Sequence, residues 1–270
     1  MGFLHVVRGY LAPLLLHKKP ERFLMFSANC GRRKELPGGK RLRGRVRLYM
    51  NALLVYSGTM DDEAAGRFVS LLRDIDTSNS NEFIRIRGSA VTSVDGEAVV
   101  FPSEPHPQLA ALAATLVRSG AGYLGDEVVN LDPVLQRAHP LGLPLLLDAE
   151  DLDRFPELGR RLSKGRATRG GGANSIRRPV LPSELGGDAA QPTPVRRLLF
   201  PEFRPEEPTA ILPASASESM LALSRATLNL HVWGERALLL FQRLLREVDV
   251  ARLVIGDLDA ARDLVLERRG

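Results

Sequence analysis

Regular patterns of apolar and polar positions begin near Val46 and continue to the end of the chain. Residues 47–56 have an apolar centre that predicts a strand, and residues 61–75 repeat apolar positions at helical spacing. After a polar loop at 77–81, residues 83–91 alternate between apolar and polar side chains, as a half-buried strand does. This part of the chain is therefore predicted to form a strand, a helix and a second strand.

The next part of the chain carries the pattern of a parallel crossover. Asp95-Gly96 indicates a tight turn, because glycine accepts the positive φ that such turns require. Gly120 fits just past the end of a helix. The predicted elements are a strand at 98–101, a helix at 107–117, and short strands at 122–124 and 128–131. Strand, helix and strand in this order indicate parallel strands joined by a crossover helix.

A segment rich in glycine, arginine, serine and proline at 163–194 interrupts the regular pattern, and it is predicted to be a mobile loop or insertion. Regular patterns then return. The predicted elements are a strand at 195–200, helices at 217–228 and 235–247, a strand at 250–255, and a closing helix at 257–267 that begins with acidic residues.

The chain is basic, and its arginine and lysine residues are concentrated near its beginning. The net charge is +5 and the sequence pI is about 9.7. No regular element is predicted for residues 1–45, where most of the excess of arginine and lysine lies. Such a run is typical of a solvated, flexible segment, and the alternative is a surface for nucleic acid or anionic membranes. Without interleaved aromatic residues in the second basic run, at 164–178, a nucleic-acid partner is not favoured.

The cysteine content and the hydropathy of the chain indicate the compartment and bear on membrane insertion. Cys30 is the only cysteine, so no disulfide forms within one chain, and a reducing cytoplasm is expected. The apolar stretch at 3–16 is interrupted by Arg8 and Pro13 and is too short to span a bilayer. We therefore expect no transmembrane segment, while an amphipathic segment at a membrane surface stays open.

Several short motifs in residues 84–133 follow one known order. They are Gly88-Ser89-Ala90-Val91, Gly96, Gly120-Ala121, Tyr123-Leu124, Asp126-Glu127 and Leu131-Asp132-Pro133. In this order they resemble the catalytic core of the HPr kinase/phosphorylase family, and more closely the HPr-kinase-related proteins found beside bacterial peptide-modification gene clusters. A looser similarity continues through 196–203 and 251–265. The resemblance implies an α/β fold of the P-loop NTPase type at 46–270, with a mixed central sheet flanked by helices.

The resemblance places a phosphate-binding loop where this sequence departs from the family pattern. The residues in that register are Ser103, Glu104, Pro105, His106, Pro107, Gln108, Leu109 and Ala110. A working loop surrounds phosphate with backbone N–H groups and ends with a lysine and a metal-binding hydroxyl. Pro105 and Pro107 have no N–H, and Leu109 stands in the place of the lysine. Ala110 replaces the hydroxyl, and Glu104 adds a negative charge. These changes predict a degenerate loop that does not support conventional phosphoryl transfer.

An acidic pair, Asp126-Glu127, is retained at the predicted strand end. By resemblance this pair holds Mg²⁺, or Asp126 takes the proton of a hydroxyl substrate. The alternative interpretation is an ordinary polar turn. Arg87 stands where the family usually has a histidine.

Three functions are compatible with these residues. The first is a pseudokinase, a scaffold that binds a peptide or protein partner and needs no cofactor. The second is an active serine kinase that uses Mg-ATP, with Asp126 as base and Asp126 and Glu127 as metal ligands. The third is anion binding through the basic segment 1–45. Oligomerisation is open in all three.

Overall fold

The structure is a computed structural model that describes residues 26–30, 45–59, 62–79, 82–148, 150–159 and 177–267. Its strands are β1 (Phe26–Cys30), β2 (Arg45–Met50), β3 (Leu53–Thr59), β4 (Ile84–Thr92), β5 (Ala98–Pro102), β6 (Tyr123–Gly125), β7 (Val128–Leu131), β8 (Arg137–His139), β9 (Leu145–Asp148), β10 (Arg177–Val180), β11 (Thr193–Phe203), β12 (Ala210–Pro213) and β13 (Asp249–Ile255). Its helices are α1 (Asp62–Asn79), α2 (Gln108–Arg118), α3 (Pro156–Gly159), α4 (Ala216–Ala226), α5 (Leu230–Trp233), α6 (Glu235–Glu247) and α7 (Leu258–Leu266).

The chain divides into two compact units. The first contains the described residues up to Ile75 together with Leu146–Val180, and the second contains Asp76–Leu145 and the described residues from Leu181 onward. The chain therefore leaves the first unit, builds half of the second, and returns. The sequence predicts one domain at 46–270. A pattern of local elements carries no information about a chain that returns to an earlier unit, so this division has no signal in the sequence.

The first unit contains an antiparallel sheet in the order β1-β2-β3. Val46 and Leu48 of β2 are buried together with Ala64 and Phe68 of α1. Only a small part of the predicted basic segment 1–45 lies within the described residues, and there β1 pairs with β2 along its whole length. Helix α1 confirms the predicted helix, but it continues through Asn79 into the predicted loop at 77–81.

A hairpin replaces the single strand predicted at 47–56. β2 and β3 pair in antiparallel fashion around Asn51 and Ala52, whose φ angles are 46° and 69°. Two central residues with positive φ are typical of a type I′ hairpin turn, whose twist matches that of the strands. Alanine is uncommon in this conformation, so the turn has no clear signal in the sequence.

The second unit is an α/β structure with a mixed central sheet. The strand order is β12-β13-β11-β5-β4-β7-β8, and β6 pairs with β4 beside β7. β11 runs parallel to both β5 and β13, whereas β4 runs antiparallel to β5, β6 and β7. This arrangement confirms the predicted mixed sheet flanked by helices.

Helices cover both faces of this sheet. Ala98 and Val100 of β5 belong to a core that also contains Leu223 of α4 and Phe241 of α6. Because side chains alternate along a strand, Val99 and Phe101 point to the opposite face. There α2 packs against β4 and α7. The predicted helices at 107–117, 217–228, 235–247 and 257–267 are confirmed in α2, α4, α6 and α7.

Asn229, in the link between α4 and α5, joins the helices to the sheet. Its Oδ1 accepts the N–H of Arg85 at 2.9 Å, and its Nδ2 donates to the carbonyl of Phe83 at 2.9 Å. Asn229 is buried. β5 pairs with β4 only from Gly88 onward, so these bonds satisfy backbone groups on the edge of β4 opposite to β7.

The segment 163–194, predicted to be a mobile loop, lies outside the described residues up to position 176. The remainder contains β10, a one-turn 3-10 helix at Pro182–Leu185 and the start of β11. Val180 and Leu185 are buried, so this remainder is packed by its few apolar side chains. In the part of the chain that the structure describes, no helix combines the length and the apolarity needed to cross a membrane.

Candidate functional site

The carboxyl ends of β5 and β11 lie side by side where the connections leave toward opposite faces of the sheet. After β5 the chain enters α2, which packs on one face, and after β11 and β12 it enters α4, which packs on the other. In α/β sheets, a crevice forms outside the strand ends at such a switch point, and ligands bind there. The topology of the second unit therefore points to this edge.

A cavity of about 370 Å³ occupies this position, and we call it the switch-point pocket. It is lined by the loop after β5, the end of β11 and one face of α4. The lining residues are Pro102, Ser103, Glu104, Pro105, His106, Phe200, Pro201, Phe203, Ala222 and Arg225. Three prolines, two phenylalanines and an alanine make the lining largely apolar, with a few polar groups, which is typical of ligand pockets.

His106 and Phe203 form a stacked pair of rings in the pocket lining. Their rings are stacked with centroids 4.0 Å apart and an interplanar angle of 5°. Burial lowers the pKa of His106 below 6.5, so the imidazole is neutral at pH 7. Its Nδ1 accepts the N–H of Gln108 at 3.3 Å, which leaves the ring proton on Nε2. His106 therefore brings an apolar ring face and one N–H donor to the pocket.

Of the eight residues predicted to replace a phosphate-binding loop, the first five connect β5 to α2, and Gln108, Leu109 and Ala110 are the first residues of α2. Ser103 donates its N–H to the carbonyl of Arg87 at 3.1 Å, and Leu109 donates to the carbonyl of His106 at 3.1 Å. Gln108 donates to the His106 ring. Together with Pro105 and Pro107, five of the eight positions thus have no N–H or one that is already used inside the protein. Leu109 and Ala110 are buried.

Charged side chains flank the pocket on two sides. Glu104 is 68% exposed and lies 3.4 Å from the guanidinium of Arg87, so its charge is balanced by an arginine at the rim. On the opposite side Arg225 extends from α4 and is exposed. Among the described residues, Arg225 has no ion-pair partner within 4.0 Å. The pocket therefore carries one arginine charge that no described residue neutralises through an ion pair.

Asp126 and Glu127 lie between β6 and β7, on the side of β4 away from β5. Glu127 has a φ of 64°, and its carbonyl accepts the N–H of Gly88 at 3.1 Å. Both flanking strands pair with β4, so the acidic pair forms a bulge in an otherwise continuous edge. Asp126 is 1% exposed. Within the described ranges, no group of three or more His, Cys, Asp or Glu side chains is arranged to hold a metal ion.

No protein-family model and no curated protein sequence matches this chain. The similarity to HPr kinases therefore stays a prediction from the motifs in residues 84–133.

The structure brings some predicted site residues together and separates others. Four residues of the predicted loop, from Ser103 to His106, line the switch-point pocket. Leu109 and Ala110 belong to α2, and their side chains are buried. The sequence did not identify the residues contributed by β11 and α4, namely Phe200, Pro201, Phe203, Ala222 and Arg225. No local pattern in the sequence marks those on β11, because they reach the pocket only through the parallel pairing of β11 with β5.

Proposed function

We propose that this protein is a kinase-like scaffold that binds a peptide segment of a partner protein in the switch-point pocket and does not transfer phosphate. The observation that carries the proposal is the pocket lining itself. Prolines and a stacked His106–Phe203 pair stand where a nucleotide kinase needs a ring of free backbone N–H groups. An apolar crevice with few polar groups suits a peptide side chain better than a triphosphate.

The active-kinase alternative has less support from the geometry. A general base has to reach the proton that it removes, and the Asp126 side chain is 1% exposed. Anion binding through residues 1–45 depends on positions that lie mostly outside the described residues. The scaffold proposal is the one that rests on a described cavity.

Calorimetric titration with Mg-ATP tests the negative half of the proposal. We expect no heat of binding at millimolar nucleotide, because the loop offers too few donors and adds the carboxylate of Glu104. A dissociation constant in the micromolar range would contradict the proposal.

Selection from a random peptide library displayed on phage tests the positive half. We expect peptides to be enriched on the immobilised full chain and lost on Ala222→Trp, whose indole fills the pocket. Leu239→Trp adds the same side chain at an exposed apolar position of α6, which does not line the pocket, and is the matched control. Equal enrichment on the wild type and on Ala222→Trp would exclude the pocket as the peptide site.

A further inference from the structure

The polar groups of the switch-point pocket favour a ligand with negative charge. Glu104 and Arg87 balance each other at 3.4 Å, and His106 is neutral. Arg225 alone among the lining residues leaves a positive charge without an ion-pair partner in the described part of the chain. A ligand that brings one carboxylate would neutralise it, and a guanidinium can bind both carboxylate oxygens at once.

A phosphate is a poorer match for the same groups. Binding a phosphate dianion takes several converging donors, typically successive backbone N–H groups. The loop from Ser103 to Leu109 uses or lacks most of its N–H groups. A single carboxylate needs only the guanidinium of Arg225, with His106 Nε2 as a further donor in the lining.

Apolar surface lies within one helical turn of Arg225. Ala222 precedes it by three residues and Leu221 by four, and on a helix these spacings bring side chains to about 5–6 Å of one another. Leu221 is 51% exposed and extends the apolar lining along the same side of α4. This side of α4 therefore places an apolar contact next to Arg225, which can bind a carboxylate.

This spacing matches an extended peptide. In an extended chain, side chains two residues apart lie on the same side, roughly 6–7 Å apart. A residue between them points away from the pocket. An apolar residue and an acidic residue separated by one position would thus reach the two neighbouring contacts together.

We propose that the switch-point pocket recognises an extended peptide with an apolar residue and an Asp or Glu two positions away, and that Arg225 binds the carboxylate. The apolar side chain lies between the His106–Phe203 stack and Ala222. This proposal rests on the proposed function, since it names the class of peptide that the scaffold takes. Arg225 is the specificity-determining residue, and the aromatic stack supplies apolar contact.

Charge reversal at Arg225 gives the sharpest test. Peptides are selected from the same displayed library on three full-length proteins: the wild type, Arg225→Glu and the control Arg243→Glu. Arg243 is an exposed arginine of α6 that does not line the pocket. We expect an acidic position two residues from an apolar one on the wild type and on the control, and a basic residue at that position on Arg225→Glu.

Fluorescence anisotropy then measures the effect with one selected peptide and its Glu→Gln and Glu→Lys versions. On the wild type, each replacement is expected to weaken binding by about tenfold or more, as loss of a charge-assisted pair does. On Arg225→Glu, the Glu→Lys peptide is expected to bind more tightly than the original peptide. Circular dichroism of each variant verifies its fold, and Arg225→Gln provides a second variant with neutral charge.

The outcomes separate the two proposals. If peptides are enriched on the wild type without any acidic preference, or if Arg225→Glu selects the same peptides as the wild type, the role of Arg225 is overturned while peptide binding stands. If no peptide is enriched on the wild type beyond Ala222→Trp, both proposals fail together.

Discussion

At the scale of single residues, Gly88 is a motif residue that the backbone geometry of β4 requires. Its φ is +146°, and a Cβ at this position would lie 2.2 Å from the carbonyl oxygen of Phe101 in the adjacent strand. Real Cβ atoms do not approach backbone this closely. Gly88 also donates its N–H to Glu127, so it joins β4 to the acidic bulge. The resemblance at Gly88 therefore has a structural reason that is independent of catalysis.

Gly88→Ala is expected to lower the free energy of unfolding by about 3 kcal/mol or more, because both the φ angle and the space are wrong for a side chain. Gly96→Ala is the matched control, since Gly96 also has a positive φ, of +76°, but no atom lies within 4 Å of its Cβ position. The control is expected to cost about 1 kcal/mol. Urea denaturation of both variants checks the difference, and equal losses would show that the contact with Phe101 is relieved without cost.

At the scale of elements, two side chains from the helical layer, Asn229 and Trp233, bind backbone groups at the start of β4. Asn229 is bonded to both Phe83 and Arg85, so the link between α4 and α5 takes the place of a neighbouring strand. The isolated bridge between Ile86 and Thr227 continues this contact. The helical layer and the sheet are therefore held by hydrogen bonds as well as by apolar packing.

Asn229→Ala is expected to lower the free energy of unfolding by about 1–3 kcal/mol, because the buried N–H of Arg85 loses its partner. The carbonyl of Phe83 keeps the indole N–H of Trp233 at 3.2 Å. Ser224→Ala is the control. Ser224 donates to the carbonyl of Met220 within α4 at 2.8 Å, and such bonds back to the preceding turn add little to helix stability. Thermal unfolding followed by circular dichroism measures both. A loss for Asn229→Ala as small as that of the control would contradict the importance assigned to this link.

At the scale of the whole molecule, both compact units bury ionisable side chains, and Asp151 is one of those in the first unit. In the first unit, burial raises the pKa of the Asp151 carboxyl from 3.8 to about 6, and the nearby charge of Asp148 adds to the shift while Arg154 opposes it. Because the folded state holds this proton more tightly than the unfolded chain, protonated Asp151 favours folding. The contribution is lost as the pH rises from 3.8 through about 6.

Asp151→Asn mimics the protonated side chain and is expected to unfold with the same free energy as the wild type near pH 3.5. At pH 8 the variant is expected to be more stable by on the order of 2–3 kcal/mol. Asp153→Asn replaces an exposed carboxylate in the same turn and serves as the matched control. Chemical denaturation at both pH values gives the comparison. A gain for Asp151→Asn that does not change with pH would show that ionisation of Asp151 is not its cause.

The local elements of the second unit were the part of the fold that could be predicted. The predicted strands at 83–91, 98–101 and 128–131 and the helix at 107–117 are confirmed to within a few residues. The turn at Gly96 is confirmed by its positive φ. In each case the signal is a period of apolar residues or a glycine at a turn, both of which act within a few neighbouring positions.

Features that depend on unusual local conformation were predicted wrongly. The Asn51-Ala52 turn divides the predicted strand in two although alanine rarely has a positive φ. Helix α1 also continues through residues that read as a polar loop, where propensity is a weak guide.

The sequence by itself determined that the loop from Ser103 to Ala110 cannot offer a full ring of backbone N–H groups, because proline lacks the donor wherever it is placed. Only the tertiary structure decided what that loop faces. Phe203 and Arg225 reach it because parallel pairing brings β11 beside β5 and a crossover brings α4 over their ends. Pairing between distant strands depends on the packing of both sheet faces at once, and no local pattern of residues encodes it.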